Sequence, residues 1–231
     1  MTAAMARTRV PRCPRPDPTP ETTALNPPFP RLALAALICV PVAAHAELID
    51  YAQVDTSSSA TTAVLVGAIG SGDAATPAPI VSATFTRWDT GEAASLGYTH
   101  RWSLTGDPHR WIVGAGVGAN SFHNRSSGGD PSKVAPSARV QSEWLGPAPG
   151  GNYYALAQAS SFRGSWLGAA QYSPSALPVA AEWTRYHERS YQSTSLGVRI
   201  SIGVPRWFVR VGATHANAET RPYIGIAYNA F

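Results

Sequence analysis

This sequence predicts an all-β chain, closed into an antiparallel up-and-down transmembrane β-barrel of about 12 strands, with 10 as the alternative count. Three observations carry that expectation. Segments that alternate apolar and polar residues recur along the chain with turn residues between them. Trp and Tyr gather near the ends of those segments, and the segment count is even, with the last one running to Phe231.

The opening residues are set apart by composition. Residues 1–46 carry Arg7, Arg9, Arg12, Arg15 and Arg31, then the apolar run Leu32 to Ala44, then Ala44-His45-Ala46 ahead of Glu47. A positive region, a short apolar core and a small-x-small cleavage site are the parts of a secretory signal peptide. The run is too short to cross a bilayer as a helix, which needs roughly 20 residues, and Pro41 interrupts it. The expected organisation is a cleaved, Pro/Arg-rich leader over 1–46 and a barrel over 47–231. Cleavage changes the electrostatics. The whole chain has formal charge +4, but the leader holds five Arg against Asp17 and Glu21, leaving the remainder close to +1. A nucleic-acid partner therefore loses its support. Cys13 and Cys39 also leave with the leader, so neither a disulfide framework nor a cysteine metal site is expected.

The remaining 185 or so residues suffice for one domain. Strands are expected at Leu48–Asp55, Thr61–Gly70, Ile80–Trp88, Ala93–Leu104, Arg110–Asn120 and Ser137–Leu145. Six more follow at Asn152–Phe162, Ser165–Ser173, Val179–His187, Gln192–Gly203, Arg206–His215 and Arg221–Phe231. Most approach the roughly 9 to 11 residues that a tilted strand needs to cross a membrane. The intervening Asp89-Thr90-Gly91, Thr105-Gly106-Asp107-Pro108 and Ser173-Pro174-Ser175 have turn chemistry.

Alternation assigns the faces. In Gln192–Gly203, Leu196, Val198, Ile200 and Ile202 oppose Gly197, Arg199, Ser201 and Gly203; in the next strand Trp207, Val209, Val211 and Ala213 oppose Phe208, Arg210, Gly212 and Thr214. A soluble sandwich alternates too, and a soluble periplasmic β-sandwich binding protein remains an alternative. The aromatic residues favour the membrane. Trp88, Trp102, Trp111, Trp144, Trp183, Trp207 and Tyr228 fall near strand ends, where aromatic girdles meet the lipid interfaces. Twelve strands put both termini on one side, with Asn120–Pro136 as the longest connection on the other, and short turns are expected on the side of the termini.

The Ala-His-Ala cleavage site, the cysteine-free alternating chain and terminal Phe231 together resemble a Gram-negative outer-membrane β-barrel. The resemblance covers Glu47 to Phe231 and implies insertion by the barrel-assembly machinery, contact with outer-membrane lipid, and a terminal aromatic assembly signal at Phe231. In the last strand Tyr223, Gly225 and Ala227 keep phase with Phe231, whereas Ile224, Ile226 and Tyr228 form a stronger apolar row on the other face. A bulge near Asn229 or a slipped register would reconcile the two. The run from Trp183-Thr-Arg-Tyr to Leu196-Gly-Val-Arg resembles small barrels found with cellulose and exopolysaccharide secretion, which would add a polysaccharide partner.

Catalytic and cofactor motifs are sparse. Gly114, Gly116 and Gly118 share one face of a strand with no helix after them, so they read as a thinned lumen wall and not as a nucleotide loop. No His-Glu-x-x-His or close His pair supports a metal, and no cofactor is expected. The catalytic candidate is His215, in Thr214-His215-Ala216-Asn217, which resembles the His-x-Ser-Asn motif of outer-membrane lipid A deacylases with Ala where the nucleophilic Ser should stand. The inward faces are more informative. They carry Arg101, Arg139, Glu143, Glu182, Tyr186, Glu188, Arg199 and Arg210, with Gln141, Gln158 and Thr184 among them. Enclosed charges of both signs must pair or stay hydrated, so this set reads as a lumen network or as the lining of a narrow polar conduit.

The expected function is a non-enzymatic barrel, structural or a narrow conduit, accessory to envelope or polysaccharide export. A lipid-modifying hydrolase using His215 is the alternative from the enzyme class. If Phe231 is the assembly signal, deleting it lowers the assembled protein in the outer-membrane fraction and leaves unfolded chain in the periplasm; fractionation with an unheated denaturing gel reads both.

Overall fold

In the computed structural model, residues 49–70, 77–124, 134–189, 191–216 and 218–230 are described; the expected leader and Phe231 lie outside them. Period-two sequence becomes twelve strands. They are β1 (Tyr51–Ser57), β2 (Ala60–Ala68), β3 (Ile80–Trp88), β4 (Gly91–Ser103), β5 (Arg110–Asn124), β6 (Ala135–Ala148), β7 (Gly151–Ser160), β8 (Ser165–Pro174), β9 (Val179–Glu188), β10 (Tyr191–Ser201), β11 (Trp207–Ala216) and β12 (Glu219–Asn229). Each pairs antiparallel with its chain neighbours, and β1 pairs with β12, closing the barrel. Every expected segment forms a strand, so the 10-strand count is corrected to 12. The closed ring also replaces the sandwich alternative.

Closure at the seam is regular. Tyr51 faces Asn229, Val54 faces Ile226 and Ser57 faces Tyr223, and beyond the last strand the Ala230 N–H donates to the Asp50 carbonyl at 2.8 Å. The expected bulge near Asn229 is absent from this ladder. The row Ile224, Ile226 and Tyr228 faces outward, and Tyr223, Gly225 and Ala227 face the lumen.

The barrel is apolar outside and charged inside. Val117, Leu196 and Ile224 are 64%, 63% and 57% exposed on the outer wall, whereas Arg199 and Arg210 are 4% and 6% exposed on the inner one. In water such an outer wall would be a large apolar patch; in a bilayer it is the surface that lipid requires. The ring also leaves no strand edge unpaired, as a membrane-spanning sheet must.

Aromatic residues collect at the end that carries the termini. Trp102, Trp111, Trp144, Trp207 and Tyr228 face outward there, with Trp111 and Trp144 stacked at 6.3 Å and Trp207 edge-on to Tyr228 at 5.4 Å. The Trp111 Nε1–H donates to Ser142 Oγ at 2.7 Å. Tyr172 joins this belt by donating to the Pro149 carbonyl at 2.7 Å. Trp183 is also outward, but at the middle of β9 and not near a strand end. Trp88 corrects the expectation. It is in phase with Thr84 and Thr86, whose hydroxyl meets Thr62 inside the barrel at 3.2 Å, so its ring turns inward onto Phe122 at 5.5 Å.

Connection lengths are also not sorted as expected. The two-residue turns at 58–59 and 89–90 lie at the end away from the termini, and the long connection 69–79 lies at the end that carries them. Strand parity fixes where each turn lies, but turn length follows local sequence: Thr90-Gly91 tightens one end while the Pro-containing 69–79 lengthens the other.

If β11 meets lipid with its odd residues, Val211→Arg puts a cation on the lipid face at mid-depth. Urea unfolding in vesicles is expected to show a loss of about 2 to 4 kcal/mol.

Candidate functional site: the barrel lumen

All eight charged and aromatic residues expected in the lumen do face it, but they form separate groups and not one continuous network. The first spans β9, β10, β11 and β1. Glu182 accepts from Arg199 and from Arg210, the latter through Nε at 2.8 Å, and Arg210 also pairs with Asp55. Asp55 in turn accepts from Gln53, which accepts from the Tyr51 hydroxyl. Cation–π contacts complete the group: Arg199 lies 5.6 Å from the Tyr51 ring and 5.4 Å from that of Phe208, and Arg210 lies 5.5 Å from Tyr223. Two arginines and two carboxylates balance.

The second group is on the opposite wall. Arg101 Nη1 stands 3.8 Å from Glu143 Oε1, and its Nε donates at 2.8 Å to the carbonyl of Ala78, in the buried segment before β3. Gln141 donates to Glu143 at 2.7 Å and the Tyr154 hydroxyl does so at 3.5 Å. The segment holding Ala78 therefore reaches inward at the end of the barrel that carries the termini.

A third group lies at the other mouth. Between β7 and β8 the short 3-10 turn Phe162–Gly164 puts Arg163 at φ 53, a left-handed conformation uncommon for a non-glycine residue. Its guanidinium lies 4.3 Å from the Phe122 ring and 3.3 Å from Glu188 Oε1, and Tyr186 donates to Glu188 at 3.1 Å. With Trp88 on Phe122, these residues narrow the mouth.

Arg139 differs from all of these. It is 8% exposed, and among the described residues no carboxylate lies within ion-pair distance of it. Its donors reach Ser82 Oγ at 3.4 Å, Asn120 Oδ1 at 3.2 Å and the hydroxyl of Ser95. Asn120 is itself anchored by donating to Ser137 at 2.8 Å. The side chain lies flat against the wall because β4 and β5 have no Cβ beneath it. A methyl group at Gly118 would come within 2.6 Å of Arg139 Nε, and one at Gly97 would collide with Nη1. Gly97 of β4 and Gly118 of β5 are thus the trough that seats an arginine.

The sequence reading missed several members of this site. Asp55 lies in the shortest strand, whose alternation is weak, and Arg163 lies in a turn, where no period assigns a face. Tyr154 and Tyr223 are in strands with aromatics on both faces.

His215 is outward, at the end of β11 away from the termini. Its Nδ1 lies 2.9 Å from Thr220 Oγ1, and its neighbours across the ladder are Thr194 and Thr220. Asn217 of the lipid A deacylase-like motif lies outside the described residues. No serine sits beside the ring on either paired strand, so the arrangement lacks the nucleophile that the hydrolase alternative requires.

Removing one member of a buried ion group leaves the others unpaired. Glu182→Gln, which takes the carboxylate from Arg199 and leaves Arg210 with Asp55 alone, is expected to cost about 3 kcal/mol in urea unfolding. Glu143→Gln costs less, because Arg101 keeps its carbonyl partner.

No family model matches this chain, and no curated protein does. Among solved structures, the KdgM porin in complex with disordered oligogalacturonate aligns at TM-score 0.50 and 10% identity, covering 78% of this chain and 98% of that one. The KdgM porin alone gives the same figures. The Acinetobacter baumannii outer membrane protein Omp33 aligns at TM-score 0.46 and 12% identity, over 79% of this chain and 99% of its own. At such identity the likeness is one of fold. Closed ring, twelve antiparallel strands and lipid-compatible wall together give this chain the architecture of a Gram-negative outer-membrane β-barrel.

Proposed function

We propose that the chain is a non-enzymatic, narrow polar conduit of the outer membrane that favours small anionic solutes, sugar acids among them. Arg139 carries this reading. The other lumen cations described above are neutralised by carboxylates, so among the described residues the inner wall retains one positive charge, contacted by hydroxyls and an amide. A fixed charge in a low-dielectric channel raises the local concentration of its counter-ion. The hydrogen-bonding surface around it, Ser82, Ser95, Asn120 and Gln141, suits hydroxyl-rich solutes. The KdgM porin, a barrel of the same fold, is known with an oligogalacturonate, and this supports a sugar acid as the solute class. Service in envelope or polysaccharide export is the biological setting we propose, with the outer-membrane lipid and the barrel-assembly machinery as partners.

Reconstitution in a planar bilayer under a KCl gradient tests the reading. The expected result is a small conductance with chloride preferred over potassium, and Arg139→Ser, which keeps a polar group over the glycine trough, brings the permeability ratio close to unity. A folded protein without conductance would make the barrel a closed structural element. Unchanged selectivity in the variant would remove Arg139 from the role.

A further inference from the structure

The outer wall carries a feature that a conduit does not use. Toward the strand ends away from the termini, Arg185 faces Thr194 across the ladder, Thr194 faces His215, and His215 faces Thr220. All four have outward phase. Two residues deeper the corresponding row is Trp183, Leu196, Ala213 and Pro222, which is apolar throughout. The hydrocarbon boundary at this wall therefore falls between the rows, and the polar row is at headgroup depth.

Its chemistry is basic and hydroxylic. Arg185 is exposed and forms no ion pair with a carboxylate among the described residues; its guanidinium lies 5.8 Å from the Trp166 ring, on which His187 stacks at 5.9 Å. Those contacts leave its N–H groups free to donate. At the other end of the row His215 has Nδ1 engaged by Thr220, and Nε2 is the ring atom left for a ligand. Arg185 and His215 are separated by one strand, so their backbones stand about 10 Å apart. Arg185 is drawn toward Trp166 on β8 and His215 toward Thr220 on β12, so the two donors lean apart and stand over separate positions on the wall.

We propose that this row binds the headgroup of a lipopolysaccharide, with one phosphate held by Arg185 beside Trp166 and His187, and a second held by His215 with Thr194 and Thr220. A disaccharide headgroup phosphorylated at both ends matches a row with a donor group at either end; a glycerophospholipid offers a single phosphate. Parity supports the leaflet: an even-stranded barrel inserted from the periplasm leaves its termini there, and this row lies at the opposite end. The inference rests on the outer-membrane placement proposed above but not on conduction, and the two fail independently.

The test uses the folded barrel in detergent, with lipid binding followed by native mass spectrometry and folding by the unheated gel band. Binding is expected to be tight for lipopolysaccharide and weaker for its dephosphorylated form and for phosphatidylglycerol. Arg185→Ser and His215→Ser each weaken lipopolysaccharide binding roughly tenfold, the loss of one hydrogen bond to a charged group. Arg87→Ser, at an outward position that faces Glu92 on β4, changes nothing. The proposal is overturned if the dephosphorylated lipid or phosphatidylglycerol binds as tightly, if both row variants bind as the parent does, or if Arg87→Ser loses as much as they do.

Discussion

Closure of β1 onto β12 is the constraint from which the rest follows. A sheet in hydrocarbon can leave no backbone donor or acceptor unpaired at an edge, and a ring of antiparallel strands is the arrangement that removes every edge. Once the ring is closed, each residue has only two destinations. Odd and even positions go to lipid and to lumen, and a one-residue slip at the seam would invert both sets in a strand. The seam is pinned from both sides. Val54 and Ile226 meet on the outer wall, while Asp55, opposite Gly225, reaches Arg210 within.

The lumen of such a ring is narrow, and its occupants are long. Two pairs of glycines make room for them in the same way. Arg139 lies over Gly97 and Gly118, and Tyr223 lies over Gly197 and Gly212, where an added methyl group at Gly212 would stand 2.7 Å from the Tyr223 ring. Long side chains laid flat over glycines replace the missing side-chain packing while leaving the axis of the barrel less obstructed than upright rotamers would. The glycines that weaken a strand are therefore those that let a large inward side chain fit.

The fold was legible because its signal is local. Alternation over nine or ten residues names a strand and splits its faces without knowledge of any partner, and the inward set from Arg101 to Arg210 followed directly. What could not be read was relational. Whether Arg199 pairs with Glu182 or Glu188 depends on how strands are offset around the ring, and Asp55 reaches Arg210 only through the seam. Trp88 was misassigned because a position near a strand end looks interfacial, although its phase with Thr84 and Thr86 places it inside. The Arg163 contact had no sequence signal at all, since it depends on one left-handed residue in a turn.

The charges inside this barrel are better understood as local pairs than as a field. Each paired group neutralises itself within a few ångströms, and enclosed arginines and carboxylates that satisfy one another contribute little to what a passing ion feels. Their effect is to hold particular strands together: Glu182 links β9 to β10 and β11, and Asp55 carries that link across the seam to β1. An uncompensated arginine is different, because its potential is not cancelled at short range. Placing it on glycines and contacting it only with hydroxyls and an amide keeps the charge hydrogen-bonded without neutralising it. Arginines paired with carboxylates and an arginine held by hydroxyls and an amide thus share one lumen, and their partners, not their positions in the strand pattern, tell them apart.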